Sequence, residues 1–193
     1  MRLVRLGFAS AALVAAPFAD WSAITERHTN VDVAARAVTE RAAPNDLIVV
    51  SPWPFGISFQ RYYSGTAPWI TIPNIADHRV HRYDLMKAKM ISSHPVEDVA
   101  DAIRKALMSG NRVWFVGGLN LPSDEDNLMS LPPAPASRFK WDSRAYTASW
   151  WQQLSVLAIL HARRVDPVTL PVLQNTRTND LEQTSLAVVQ GWH

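Results

Sequence analysis

The densest set of groups able to do chemistry is "ADHRVHRYDLMKAK", Ala76 to Lys89. Asp77, His81 and Asp84 can share one helix face, and His78 and His81 stand three apart. Imidazole and carboxylate together are a metal-binding vocabulary. Two arginines interleave with them and would repel a cation, and no HExxH pattern is met. Two other readings fit the same residues. One is a solvated surface in which Arg79 and Arg82 pair with Asp77 or Asp84. The other is an anion site built from Arg61, Arg79, His81 and Arg82, because guanidinium matches phosphate oxygens through two parallel hydrogen bonds. His81 would add a charged donor on protonation.

Gly56-Ile57-Ser58 has the beginning of a nucleophile elbow. The motif needs a second glycine two residues beyond the serine, and Gln60 stands there. There is no Gly-x-Gly-x-x-Gly and no Walker lysine, so a standard nucleotide cradle is missing. The chain has no cysteine, which removes disulfides, thiolate zinc sites and cysteine nucleophiles together. No catalytic residue, metal site or cofactor is assigned. Trp53, Tyr62 and Tyr63 read as packing residues before they read as sugar-stacking ones. Trp150-Trp151 reads as one core ring beside one interface-facing ring.

The elements that must position these groups alternate in type. "DLIVVS" is a short apolar run rich in β-branched residues, hence a buried, parallel strand. "PWITIP" and "RVWFVGG" repeat the pattern, and "VDPVTLPV" and "SLAVVQG" end it. Pro167 and Pro171 make "VDPVTLPV" an edge candidate. Helices are expected in "TNVDVAARAVTERAAPND", stopped by Pro44, and in "FGISFQRYYSG", closed by Gly65. "HRYDLMKAKMI" is weakly helical. "HPVEDVADAIRKALMSGN" is the clearest helix, with Pro95 at its first position and Gly110 at its end. "SRAYTASWWQQLSVLAILHAR" is the last, with Tyr146, Trp150, Leu154, Leu157 and His161 along one side.

Strands alternating with helices define an α/β, three-layer, Rossmann-like sheet of about five mostly parallel strands. The anion-site residues follow the first two strands, so the topology would gather them at the carboxyl edge of the sheet, where ligands are received. Leu119 to Asp142 also leaves that edge. It carries four prolines and the acidic run Asp124-Glu125-Asp126. A connection of this length is functional or disordered, so it reads as a mobile lid or a docking loop.

At 193 residues with 48% hydrophobic and 19% charged content, the chain can bury a real core. A formal charge of +2 without a dense basic run points to no nucleic-acid partner. Eight tryptophans favour wet edges of apolar bodies, membrane interfaces included. At the N-terminus, Arg2 and Arg5 precede an uncharged run from Leu6 to Ala19, fourteen residues long. Spanning a bilayer takes about 20 residues. Residues 1–20 therefore read as the outer end of a membrane or signal-anchor helix, with 21–193 as an extracytoplasmic domain.

Four phrases together carry a resemblance: "NVDVAARAVTERAAPNDLIVVSPWPFGISFQRYYSG", "HRYDLMKAKM", "SGNRVWFVGG" and "LPPAP". From about Trp21 onward the chain resembles the C-terminal extramembrane domain of bacterial polytopic glycosyltransferases of the dolichyl-phosphate-mannose–protein mannosyltransferase-like superfamily. The resemblance implies a place at the bacterial inner membrane, on the periplasmic side. It implies a partnership with a transmembrane module and with a lipid-linked sugar or acceptor glycan. It implies transfer from a polyprenyl-phosphate sugar. The family's catalytic acid lies in a loop between membrane helices, a region without counterpart here, so no catalytic residue carries over. The alternative is a stand-alone, membrane-anchored module that binds a phosphorylated or acidic glycan.

Overall fold

The computed structural model describes residues 27–122, 131, 133–135, 141–171 and 183–193. The membrane helix expected over 1–20, and most of the Leu119–Asp142 connection, lie outside these residues. The chain divides into two units, residues 1–30 with 172–183 and residues 31–171 with 184–193. The second holds every element described below.

Five strands form one sheet: β1 (Leu47–Val50), β2 (Trp69–Thr71), β3 (Val113–Val116), β4 (Arg164–Val168) and β5 (Leu186–Gln190), in the order β2-β1-β3-β5-β4. β1 runs parallel to β2 and β3, while β5 is antiparallel to both of its neighbours. The sheet is thus mixed, with a parallel half from the edge strand β2 to the central β3 and an antiparallel half beyond it. β4, the strand with Pro167, is an edge as the sequence implies.

The central strands read as unbroken apolar runs because both faces of the sheet are covered. Leu47 and Val49 of β1, with Val113 and Phe115 of β3, face one side. There they meet α3 (Tyr83–Met90), α4 (Glu97–Met108) and α5 (Arg144–His161) through Met86, Ile103, Trp150 and Leu154. Ile48, Val50, Trp114 and Val116 face the other side. There they meet α1 (Val31–Arg41) and α2 (Phe55–Tyr62) through Val31, Ala34, Val38 and Phe59. Period-2 alternation within each strand therefore supplies both cores, and the result is three layers.

Two helix boundaries depart from expectation. α4 begins at Glu97, because Val96 holds a non-helical conformation (φ −133°, ψ 12°), so Pro95 stands outside the first turn. α2 ends at Tyr62, where Tyr63 turns extended (φ −80°, ψ 122°), so Gly65 does not close it. Gly110 does close α4. Its φ of +78° lets its N–H reach the Leu107 carbonyl and the Asn111 N–H reach that of Ala106. No helix among the described residues is long and apolar enough to cross a membrane.

The amino edge is locked by one carboxylate. Asp46 is 3% exposed and accepts from the N–H groups of Ala43 (2.9 Å) and Arg112 (3.0 Å). It also accepts from Arg112 Nε (2.9 Å) and Trp114 Nε1 (2.9 Å), while the Arg112 guanidinium lies 5.0 Å from the Trp114 ring centre. The starts of β1 and β3 are thereby tied together. Burial pushes the Asp46 carboxyl upward, but the bonds from Trp114, Arg112 and Ala43 outweigh it and hold the group below its ordinary value.

Candidate functional site

β1 and β3 are neighbours whose chains leave the carboxyl edge toward opposite faces of the sheet. β1 feeds α2 on one face, and β3 leads to α5 on the other. This is the topological switch point, where open α/β sheets receive ligands. The two exits touch. Ser51 N–H donates to the Val116 carbonyl (2.8 Å), and a Cβ on Gly117 would stand 1.8 Å from the Ser51 carbonyl oxygen. Gly117 has a φ of +107°, so this backbone approach admits only glycine.

Beside this junction lies a cavity of about 340 Å³, lined by Pro52, Trp53 and Pro54 after β1 and by Tyr83 at the start of α3. Its other wall is the first two turns of α5, with Ser143, Arg144, Thr147, Ala148 and Trp151. The rings are held in place. Trp53 is 2% exposed and meets Tyr83 edge-on, with centres 5.5 Å apart and planes at 88°. Trp141 also meets Tyr83 edge-on, with centres 6.2 Å apart. Trp151 is half-buried and donates its Nε1 hydrogen to the Gly118 carbonyl (3.1 Å), which pins the indole to the loop leaving β3. Asn120 ties the same loop to α5, through Ser155 Oγ (3.0 Å) and the Ala148 carbonyl (3.2 Å).

Among the described residues, the lining contains no carboxylate, imidazole or thiol. Its chemistry is stacking, with hydroxyls at Tyr83, Ser143 and Thr147 and the guanidinium of Arg144. Next to Pro52, the Ser51 hydroxyl is fully buried and has no hydrogen-bond partner among the described residues.

Of the residues expected to receive an anion, His81 lies against two rings of the cavity lining, Arg82 directly precedes Tyr83, and Arg79 joins Arg82 through Asp77. Arg79 is bidentate on Asp77, with Nε to Oδ1 at 3.0 Å and Nη2 to Oδ2 at 3.1 Å. Arg82 bridges Asp77 (Nη1 to Oδ2, 2.9 Å) and Asp84 (Nε to Oδ1, 2.8 Å; Nη2 to Oδ2, 2.6 Å). This is the salt-bridged surface that the sequence offered as the alternative to an anion site. His81 stacks near Tyr83 at 5.9 Å and meets the edge of Trp53 at 5.8 Å. Arg61 stands apart and exposed in the last turn of α2, the end of that helix farther along the chain from β1. The bonds from Arg79 and then Arg82 hold Asp77 well below the usual carboxylate range, and those from Arg82 pull Asp84 down to about 2. His78, which the sequence set beside these residues, is buried against Trp69 at 4.6 Å, and burial lowers its pKa.

Comparison with protein families, characterised proteins and solved structures gives no match. Thr147, Ser143, Pro52 and Pro54 do not stand out in the sequence as site residues. The signal they leave there is positional: "SPWP" directly after the first strand, and a tryptophan pair two turns into the helix that follows the third.

Proposed function

We propose that this chain is the extramembrane domain of a bacterial membrane glycosyltransferase that uses a polyprenyl-phosphate sugar donor, and that its part is recognition of the acceptor saccharide. The sheet is read as a Rossmann-like variant whose switch-point crevice holds the sugar. The transfer chemistry belongs to a transmembrane module on the same periplasmic face.

The observation that carries this reading is the crevice itself. A pyranose presents axial C–H groups on one face and hydroxyls around its rim. Tyr83 and Trp151 offer apolar ring surface at the cavity, backed by the buried Trp53, with the Ser143 hydroxyl beside it and Thr147 Oγ1, which donates to the Ser143 carbonyl, left as an acceptor. The resemblance in "LIVVSPWPFGISFQRYYSG" and "SGNRVWFVGG" falls on the two segments that build the switch point.

Two experiments test it. Titration with mono- and oligosaccharides should change the tryptophan emission of the wild-type chain and change it far less in Trp151→Phe. An unchanged spectrum with every saccharide would sink the recognition role. The DNA upstream of Met1 should encode a run of hydrophobic segments in the same frame, and a promoter and ribosome site there would contradict the membrane module.

A further inference from the structure

On the saccharide reading above, the charges around the crevice specify the ligand further. Among the described residues, Arg144 lines it, Arg82 directly precedes its Tyr83, and Arg79 shares Asp77 with Arg82. Each is met by a carboxylate of the chain. Arg79 and Arg82 are held by Asp77 and Asp84. Arg144 is held by Asp142, with Nε 3.0 Å and Nη2 2.8 Å from Oδ2. The first turn of α5 borders the cavity, and a helix N-terminus is where a phosphate would be expected. Asp142 already stands there, accepting from the Arg144 N–H at 2.8 Å. Among the described residues, each of these three guanidiniums therefore already has a carboxylate, and the helix start is met by an internal one.

We infer that the crevice receives one uncharged hexose ring, stacked on Trp151 and Tyr83, and that it does not receive the phosphate of a lipid-linked donor. A volume of about 340 Å³ stands near the small end of ligand pockets, which suits one ring better than a chain of them. A phosphate brought to this rim would displace Asp142 or Asp77 from an arginine and leave a carboxylate facing another anion. The crevice therefore selects the acceptor glycan over the donor.

The test is calorimetric titration of the wild-type chain with a neutral methyl hexoside, the corresponding hexose 1-phosphate and inorganic phosphate. The neutral glycoside is expected to bind at least as tightly as the phosphorylated sugar, with no heat from phosphate alone. Arg79→Ala/Arg82→Ala should leave the glycoside affinity within about twofold, whereas Trp151→Ala should weaken it about tenfold or more. Tighter binding of hexose 1-phosphate than of the glycoside, lost in the double arginine variant, overturns the inference while leaving saccharide recognition intact. Absence of binding by every sugar overturns the saccharide reading itself. Both outcomes are measured first on the wild-type chain, so a Trp151→Ala variant that fails to fold leaves the ligand comparison standing.

Discussion

Trp151 Nε1 donates to the Gly118 carbonyl oxygen across 3.1 Å, joining the second turn of α5 to the loop that leaves β3. One bond thus sets the position of the crevice's most accessible indole relative to the sheet edge. Trp151→Phe keeps a ring but leaves that carbonyl without its donor. Urea denaturation should show a loss of about 1 kcal/mol, and saccharide binding should weaken because the ring is no longer fixed.

A glycine pair separates backbone approach from backbone conformation. Gly117 and Gly110 both have positive φ, but a Cβ on Gly117 would enter the Ser51 carbonyl while one on Gly110 meets nothing within 4 Å. Gly110→Ala should cost about 1–2 kcal/mol, the strain of a left-handed residue. Gly117→Ala should cost clearly more, because the exits of β1 and β3 must separate. Equal losses in thermal or urea melts would show that the two exits do not touch.

Asp46 governs the opposite edge. Asp46→Ala leaves the buried Trp114 Nε1 and the Arg112 N–H without their acceptor, so stability should fall by about 2 kcal/mol. The pH dependence has a definite sign. The folded carboxyl titrates below the unfolded value of about 3.9, so the unfolded chain binds a proton first as pH falls. The stabilisation is complete above that unfolded value and is lost as pH drops through the folded one. Melting temperature should decline in acid for wild type, and the share due to Asp46 should be missing in Asp46→Asn.

The exposed Arg79–Asp77–Arg82–Asp84 cluster should respond differently. Its carboxylates titrate low because guanidiniums donate to them at the surface, where salt screens the pairs. Arg79→Ala should raise the Asp77 pKa, visible in side-chain carboxyl NMR, with little change in the melting temperature. A large loss of stability would mean that the cluster supports the core.

Much of the fold was legible because both-face burial leaves a plain signature. "LIVV" and "VWFV" have no polar residue to expose, and the helix stripe Val99, Ile103 and Leu107 repeats at a helical spacing. The direction of β5 was not legible, since an apolar run fits parallel and antiparallel neighbours alike. In the candidate site, the aromatics were less legible than the charges. The sequence put its candidate at the carboxyl edge and read Trp150 as a core ring, which at 2% exposure it is, beside a half-buried Trp151. It weighted the arginines over the aromatics, because charge is visible in a sequence and the internal carboxylate that meets it depends on rotamers. Arg144 and Asp142, two residues apart, carried no signal that they bound one another.

Sugar recognition at the crevice is tested most directly by an amide and indole NMR titration of the ¹⁵N-labelled chain with a neutral methyl hexoside. Eight tryptophans give a countable set of indole N–H signals, and Trp151→Phe identifies the relevant one by its loss. A saturable shift of the Trp151 signal is expected, joined by the Tyr83 and Thr147 amides and by none around Asp46. A Trp151 signal that stays fixed to saturating glycoside, or shifts only with phosphate-bearing ligands, would contradict it.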